Sequence, residues 1–162
     1  MANKAKSEIL ERFKKQKSKP NHVIDQGVIS HAIFPKLNPK EQDSFNDTLK
    51  EMYDEGLILT EQRTGAFCIV LTEKGYDTIY PINEKDAIEK IGKSIMNRFL
   101  DTNSRVGHII DNRWLNYGLT EDLNPKEIDL IDKSISNLIK KEFIVASQNG
   151  ISLAQKGFDN IY

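Results

Sequence analysis

Residues 1–19 hold Lys4, Lys6, Arg12, Lys14, Lys15, Lys17 and Lys19 against only Glu8 and Glu11. Such a run can neutralise phosphates without reading base sequence, and a solvated helix face at a terminus has the same composition. Further along, His22 and His108 each stand three residues before an aspartate, Asp25 and Asp111. At that spacing a carboxylate can tune an imidazole, but packing at a strand start or a bond to backbone accounts for the histidines more simply. Cys68 lies mid-strand, where a small apolar side chain is wanted, and no Cys/His cluster has metal-ligand spacing. Trp114 and Tyr117 suit a core and its rim better than a base-stacking platform. There is no P-loop, dinucleotide-binding glycine pattern, nucleophile elbow or zinc-protease motif. The expectation is therefore a protein that is not an enzyme, with no metal, no cofactor and no evident small-molecule substrate.

Composition narrows the classes further. The 162 residues carry 23 Lys+Arg and 24 Asp+Glu, a formal net charge of −1, so no overall basic field marks a nucleic-acid binder. One cysteine cannot build a disulfide framework within a chain. No apolar run approaches the length of a membrane span, and the first residues lack the apolar core of a signal peptide. These features predict a soluble cytoplasmic protein without a membrane partner.

An internal duplication positions the candidate residues. His22-Val-Ile-Asp25 reappears as His108-Ile-Ile-Asp111, and Leu37-Asn-Pro-Lys-Glu41 as Leu123-Asn-Pro-Lys-Glu127, both 86 residues later. The offset then falls to 82, where Leu71-Thr-Glu-Lys-Gly75 matches Leu153-Ala-Gln-Lys-Gly157. Colinear order and shared rare residues make this a duplication, with copies at 1–82 and 83–162.

Within the first copy, Ile9, Leu10 and Phe13 share a helical face, and Lys17-Ser-Lys-Pro20 ends that helix. His22–Ile24 is a short β-prone stretch, and Asp25 can cap a helix over 26–34. Asn38-Pro-Lys-Glu41 has the cap, proline and glutamate of a strong helix start. The helix that follows carries Phe45, Leu49, Met52 and Tyr53 at the spacing of a buried stripe and should stop at Gly56. Strands over 57–60 and 67–72 flank a turn at Gln62-Arg-Thr-Gly65, and a short helix over 73–80 closes the copy. The second copy follows the same path. It starts with a longer helix through Ile88, Ile91, Ile95 and Phe99, and its hairpin spans 143–146 and 151–154 around Gln148-Asn-Gly150.

The order helix, short strand, helix, helix, hairpin, short helix resembles the winged-helix domain, a helix-turn-helix variant. The resemblance covers nearly the whole chain, twice. It implies an α+β, mostly helical fold of two winged-helix domains in tandem, each with three main helices, a β-hairpin wing and a short closing helix. It also implies that the helices after Asn38 and Asn124 occupy the recognition position, which in DNA binders enters the major groove.

Under that resemblance Lys36, Asn38, Lys40 and Lys126 stand near the groove, and Arg63 at the hairpin tip is a wing arginine for a minor groove. Lys14, Lys15, Lys17 and Lys19 would form a phosphate-contacting arm. Helix initiation already explains the asparagines, prolines and glutamates of the repeated segment, which leaves Lys40 and Lys126 as its phosphate candidates. Against DNA stand Glu41, Asp43, Asp47, Glu51, Asp54, Glu55 and Glu61 in the first recognition-position helix and the strand after it. Ile128, which replaces Gln42 in the second copy, lies off the main stripe of Ile131, Ile135, Leu138 and Ile139 and is a candidate protein contact. Two functions follow as expectations. One is a DNA-binding regulatory or accessory protein; the other is a protein-interaction module, with a protein partner or self-association.

Overall fold

The computed structural model describes residues 3–162; Met1 and Ala2, at the start of the basic segment, lie outside the described residues. Two compact units divide between Pro81 and Ile82, and each is an α+β assembly with more helix than strand.

In the first unit α1 (Lys4–Lys15) is capped by Asn3, whose side chain accepts a hydrogen bond from the Lys6 N–H at 3.1 Å. Its buried face is Ala5, Ile9 and Phe13, and the chain turns away at Lys17, which has a φ of 50°. After β1 (Val23–Asp25) the Asp25 carboxylate accepts from the Val28 N–H at 2.9 Å and starts α2 (Gln26–Val28). The sequence suggests one helix over 26–34. Instead the backbone widens to a π-helical turn at Ile29–Ile33 and tightens to a 3-10 turn at Phe34–Lys36. Pro35 has no N–H to donate, and although Phe34 before it keeps helical angles, the α-helical ladder gives way there to the tighter 3-10 turn. The widened turn leaves both Ile29 and Ile33 buried.

The helix expected after Asn38 is also two pieces, α3 (Pro39–Asp43) and α4 (Phe45–Asp54). At the junction the Ser44 hydroxyl reaches the Lys40 carbonyl at 3.0 Å and the Glu41 carbonyl at 3.3 Å, the local competition by which serine bends helices. Tyr53, placed by spacing on the buried stripe, is 52% exposed. The inward stripe of α4 is Phe45, Thr48, Leu49 and Met52, at i, i+3, i+4 and i+7, and Tyr53 falls beyond its edge.

The strands β2 (Ile58–Arg63) and β3 (Ala66–Leu71) form a hairpin whose two turn residues, Thr64 and Gly65, both have positive φ, as a tight type I′ turn requires. Strand order is β1-β3-β2, all antiparallel, and α5 (Glu73–Ile79) closes the unit. Ile9, Phe13, Ile24, Met52, Ile58 and Ile69 form the centre of a core that these elements share.

The second unit repeats this order with α6 (Glu84–Asp101), β4 (Ile109–Asp111), a π-helical turn at Trp114–Gly118, α7 (Pro125–Ile128), α8 (Ile131–Lys140), β5 (Ile144–Ser147), β6 (Gly150–Leu153) and α9 (Gln155–Ile161). Strand order is β4-β6-β5. Ile91, Ile95 and Phe99 of α6 are fully buried, as their spacing predicts, and pack with Ile110, Leu138, Ile144 and Leu153.

The repeated Lys-Gly of the closing helices has a steric cause. A Cβ on Gly75 would stand 2.1 Å from the Leu57 carbonyl oxygen, and one on Gly157 would stand 2.1 Å from that of Phe143. No side chain fits where the closing helix crosses the start of the hairpin, so these glycines are structural.

Candidate functional site

The structure brings three of the candidate basic residues together and separates the others. A groove of about 740 Å³ between α1 and the π and 3-10 turns is lined by Arg12, Lys14, Lys15, His31 and Lys36, with Glu8 and Glu11 among them. Two of those lysines are already engaged: Lys36 Nζ lies 2.7 Å from Glu8, and Lys14 Nζ lies 3.3 Å from Glu11. Lys15 is exposed. Lys17 and Lys19 fall elsewhere. The Asn21 N–H bonds the Leu71 carbonyl at 2.8 Å, which holds the 17–21 turn at the end of β3 opposite the hairpin tip. Arg63 sits at that tip, about 17 Å away along a six-residue strand, so these lysines and Arg63 do not form one patch. Arg63 Nε donates to Glu61 at 2.8 Å, and this bond raises the guanidinium pKa.

Asn38 and Asn124 spend their side chains on helix initiation. Each accepts from the glutamate N–H three residues on, at 3.0 and 2.9 Å, while Glu41 and Glu127 bond back to the asparagine N–H. Lys40 is exposed on the first turn of α3, and Lys126 is half-buried on α7. On α4 the exposed charges are Asp47, Glu51 and Asp54 against Lys50, a face that would repel a phosphate backbone. Glu55 at the end of α4 is hydrogen-bonded to Lys6 at 2.7 Å, which holds its carboxyl below the usual glutamate range.

The histidines have a structural role. His22 Nδ1 accepts from the Lys19 N–H at 3.1 Å, and His108 Nδ1 accepts from the Arg105 N–H at 3.0 Å, closing the same turn in both units. Asp25 and Asp111 face the following helical turns as caps. Ile128 is half-buried and packs against the second core. Its counterpart Gln42 fills the same role by polar means, donating to the Phe34 and Leu37 carbonyls at 2.9 and 3.1 Å. Cys68 is buried and free. Among the described residues no helix is long and apolar enough to cross a membrane, and no group of three His, Cys, Asp or Glu is placed to hold a metal ion.

Sequence reasoning missed a surface that the pairing register builds. Val23, Val70 and Leu59 lie in one cross-strand row of the first sheet, and Ile109, Ser152 and Val145 lie in the matching row of the second. Because neighbouring residues in a strand face opposite sides, these rows lie on the face opposite the core that holds Ile24, Ile58 and Ile69, or Ile110, Ile144 and Ile151. On that face Val70 is nevertheless buried, and Val23 and Ser152 are half-buried. Leu59 is 42% exposed, Ile109 52% and Val145 54%. The signal was available: both strands place an apolar residue directly after the buried isoleucine, where an alternating strand would place a polar one.

Comparison with protein-family models, with curated protein sequences and with solved structures gave no significant match.

Proposed function

We propose that the chain is a non-enzymatic protein-interaction module made of two winged-helix units, with the outer faces of its two sheets as contact surfaces. The observed order of helices and hairpin, with the first strand beside the returning strand of the hairpin, supports the winged-helix reading of each unit. The observation that carries the function is the matched pair Leu59 and Val145, exposed apolar residues at the same place in the two sheets. In the second unit exposed Ile109 joins them, whereas its counterpart Val23 is half-buried, and Val70 between Val23 and Leu59 is buried. An apolar face of this kind on a folded surface serves contact with another protein.

A DNA-binding regulatory or accessory role is the second reading. It draws on the Arg12, Lys14, Lys15 and Lys36 groove. It is the weaker one, since Lys14, Lys36 and Arg63 are tied to carboxylates and the exposed face of α4 is acidic.

Quantitative crosslinking in cells, comparing the unaltered chain with the L59D/V145D variant, tests the first reading. The expected result is a defined protein crosslinked to the unaltered chain and lost from the variant, with both chains folded by circular dichroism. The same crosslinked set from both chains would overturn it.

A further inference from the structure

The two units differ at one place where their helices meet. In the first unit Lys6 of α1 spans to Glu55 beyond α4 at 2.7 Å, and beside it Asn3 bonds Thr48 at 3.0 Å. These contacts close the seam between the two helices. At the matching positions of the second unit stand Gly92 and Lys141, and no ion pair between them is chemically available. There α6 and α8 pack directly at buried Gly92, with the Ser134 hydroxyl donating to the Ile88 carbonyl at 2.8 Å, and the missing long side chains leave depressions along the outside of the contact. Two adjoining depressions of about 780 and 420 Å³ share Ile88, Glu89 and Asn137 as lining residues. Lining residues run from Glu84 to Leu100 along α6, which is about 24 Å at the helical rise per residue.

The lower part of this groove is apolar, with Met96, Leu138, Phe143 and Ile161 around Gly92. Lys93, Lys140 and Lys141 flank it, all exposed, with Glu89 the carboxylate nearest in the lining. Towards Glu84 the charges balance, for Lys133 is bound to Glu84 at 2.6 Å and Asp132 lies near Lys140 and Lys85 in the lining. We infer that this groove receives an amphipathic helix of a partner protein, with apolar residues spaced i, i+3, i+4 and i+7 and acidic residues on its flanks. A seam between two helices is a natural seat for a third, whose ridge of side chains fills it. The lysine rim beside an apolar floor selects acidic over basic flanks. The inference extends the interaction reading to a second surface, separate from the sheet faces.

The test uses the full chain and a labelled helical peptide with leucines at that spacing and glutamates on the flanks. Two control peptides carry lysine for glutamate, or the same residues scrambled. Saturable binding of the glutamate peptide, at least about tenfold tighter than either control, is expected. The G92K/K141E variant restores the closing pair of the first unit and should weaken binding by about tenfold or more. A Cβ at Gly92 would lie at ordinary contact distance, 3.4 Å from Ser134 Oγ and 3.6 Å from Leu138, and an unchanged melting transition is required to show that the longer lysine is accommodated at this buried position. The K93E variant, which leaves the helix packing untouched, should weaken the glutamate peptide and strengthen the lysine peptide. No binding of the glutamate peptide, equal binding of a control, or binding unaffected by G92K/K141E would overturn the inference. Binding lost in L59D/V145D and kept in G92K/K141E would overturn the groove while leaving the sheet faces standing.

Discussion

Lys6 and Glu55 are joined at 2.7 Å across the seam of α1 and α4, while the residues at their places in the second unit, Gly92 and Lys141, make no such pair and α6 packs on α8 directly at buried Gly92. The duplication kept both cores and both sheets and changed this contact. Two copies that fold alike thereby present different surfaces.

The Lys6 bond gives the first unit an acid-sensitive element. Because Lys6 lowers the Glu55 pKa, the contribution is present above the unfolded carboxylate value and is lost as pH falls through the lower folded value. Chemical denaturation between about pH 6 and about pH 3 should show a smaller loss of stability in E55Q than in the unaltered chain. Parallel curves for the two proteins would contradict this.

Both capping boxes should matter by similar amounts. Asn38→Ala and Asn124→Ala each remove a side-chain acceptor at a helix start, a loss of about 1 kcal/mol. Urea denaturation checks the pair. Loss of DNA binding without loss of stability in Asn38→Ala would instead assign that asparagine to nucleic acid.

Gly75→Ala and Gly157→Ala force a methyl group against a backbone carbonyl, so either should cost about 1–3 kcal/mol or more. A shifted denaturant midpoint is the readout, and a neutral substitution would mean that the closing helix moves freely over the hairpin.

Much of the architecture was legible because its signals are local. Asn-Pro-Lys-Glu contains every group that its capping box uses, and Asp25 and Asp111 reach donors three residues away. The register of the duplication also located both sheets. Features that depend on distant partners were harder to read. Tyr53 has a spacing compatible with burial, yet the inward stripe runs through Thr48 instead, and apolar periodicity alone passes over a buried threonine. Ile29 and Ile33 are buried four residues apart, the spacing of an ordinary helical face, so the sequence placed them in the core but did not show that the turn between them widens to π geometry.

The candidate sites divide the same way. A count of lysines along residues 1–19 treats them as one arm. The fold instead directs Lys14 and Lys15 to a groove with Lys36, and Lys19 to the turn that His22 closes. Ile128 stood out as an isolated apolar residue, and only the packed structure gives it neighbours in the second core. The sheet-face rows were only half legible: Leu59 and Val145 each follow a buried isoleucine where alternation would place a polar residue, but the sequence does not say which strands lie beside them. Val23, Val70 and Leu59 are far apart in the chain, and the pairing register alone aligns them.

That the two units contact protein and not DNA is tested most directly by titrating the full chain into labelled random duplex DNA at about 50 mM salt, where phosphate contacts are strongest. Fluorescence anisotropy should show no saturable binding tighter than about 10⁻⁴ M, the weak end of ordinary non-specific association. Saturable binding in the micromolar range, weakening steeply with salt and abolished by charge reversal at Lys14, Lys15 and Lys36, would contradict it.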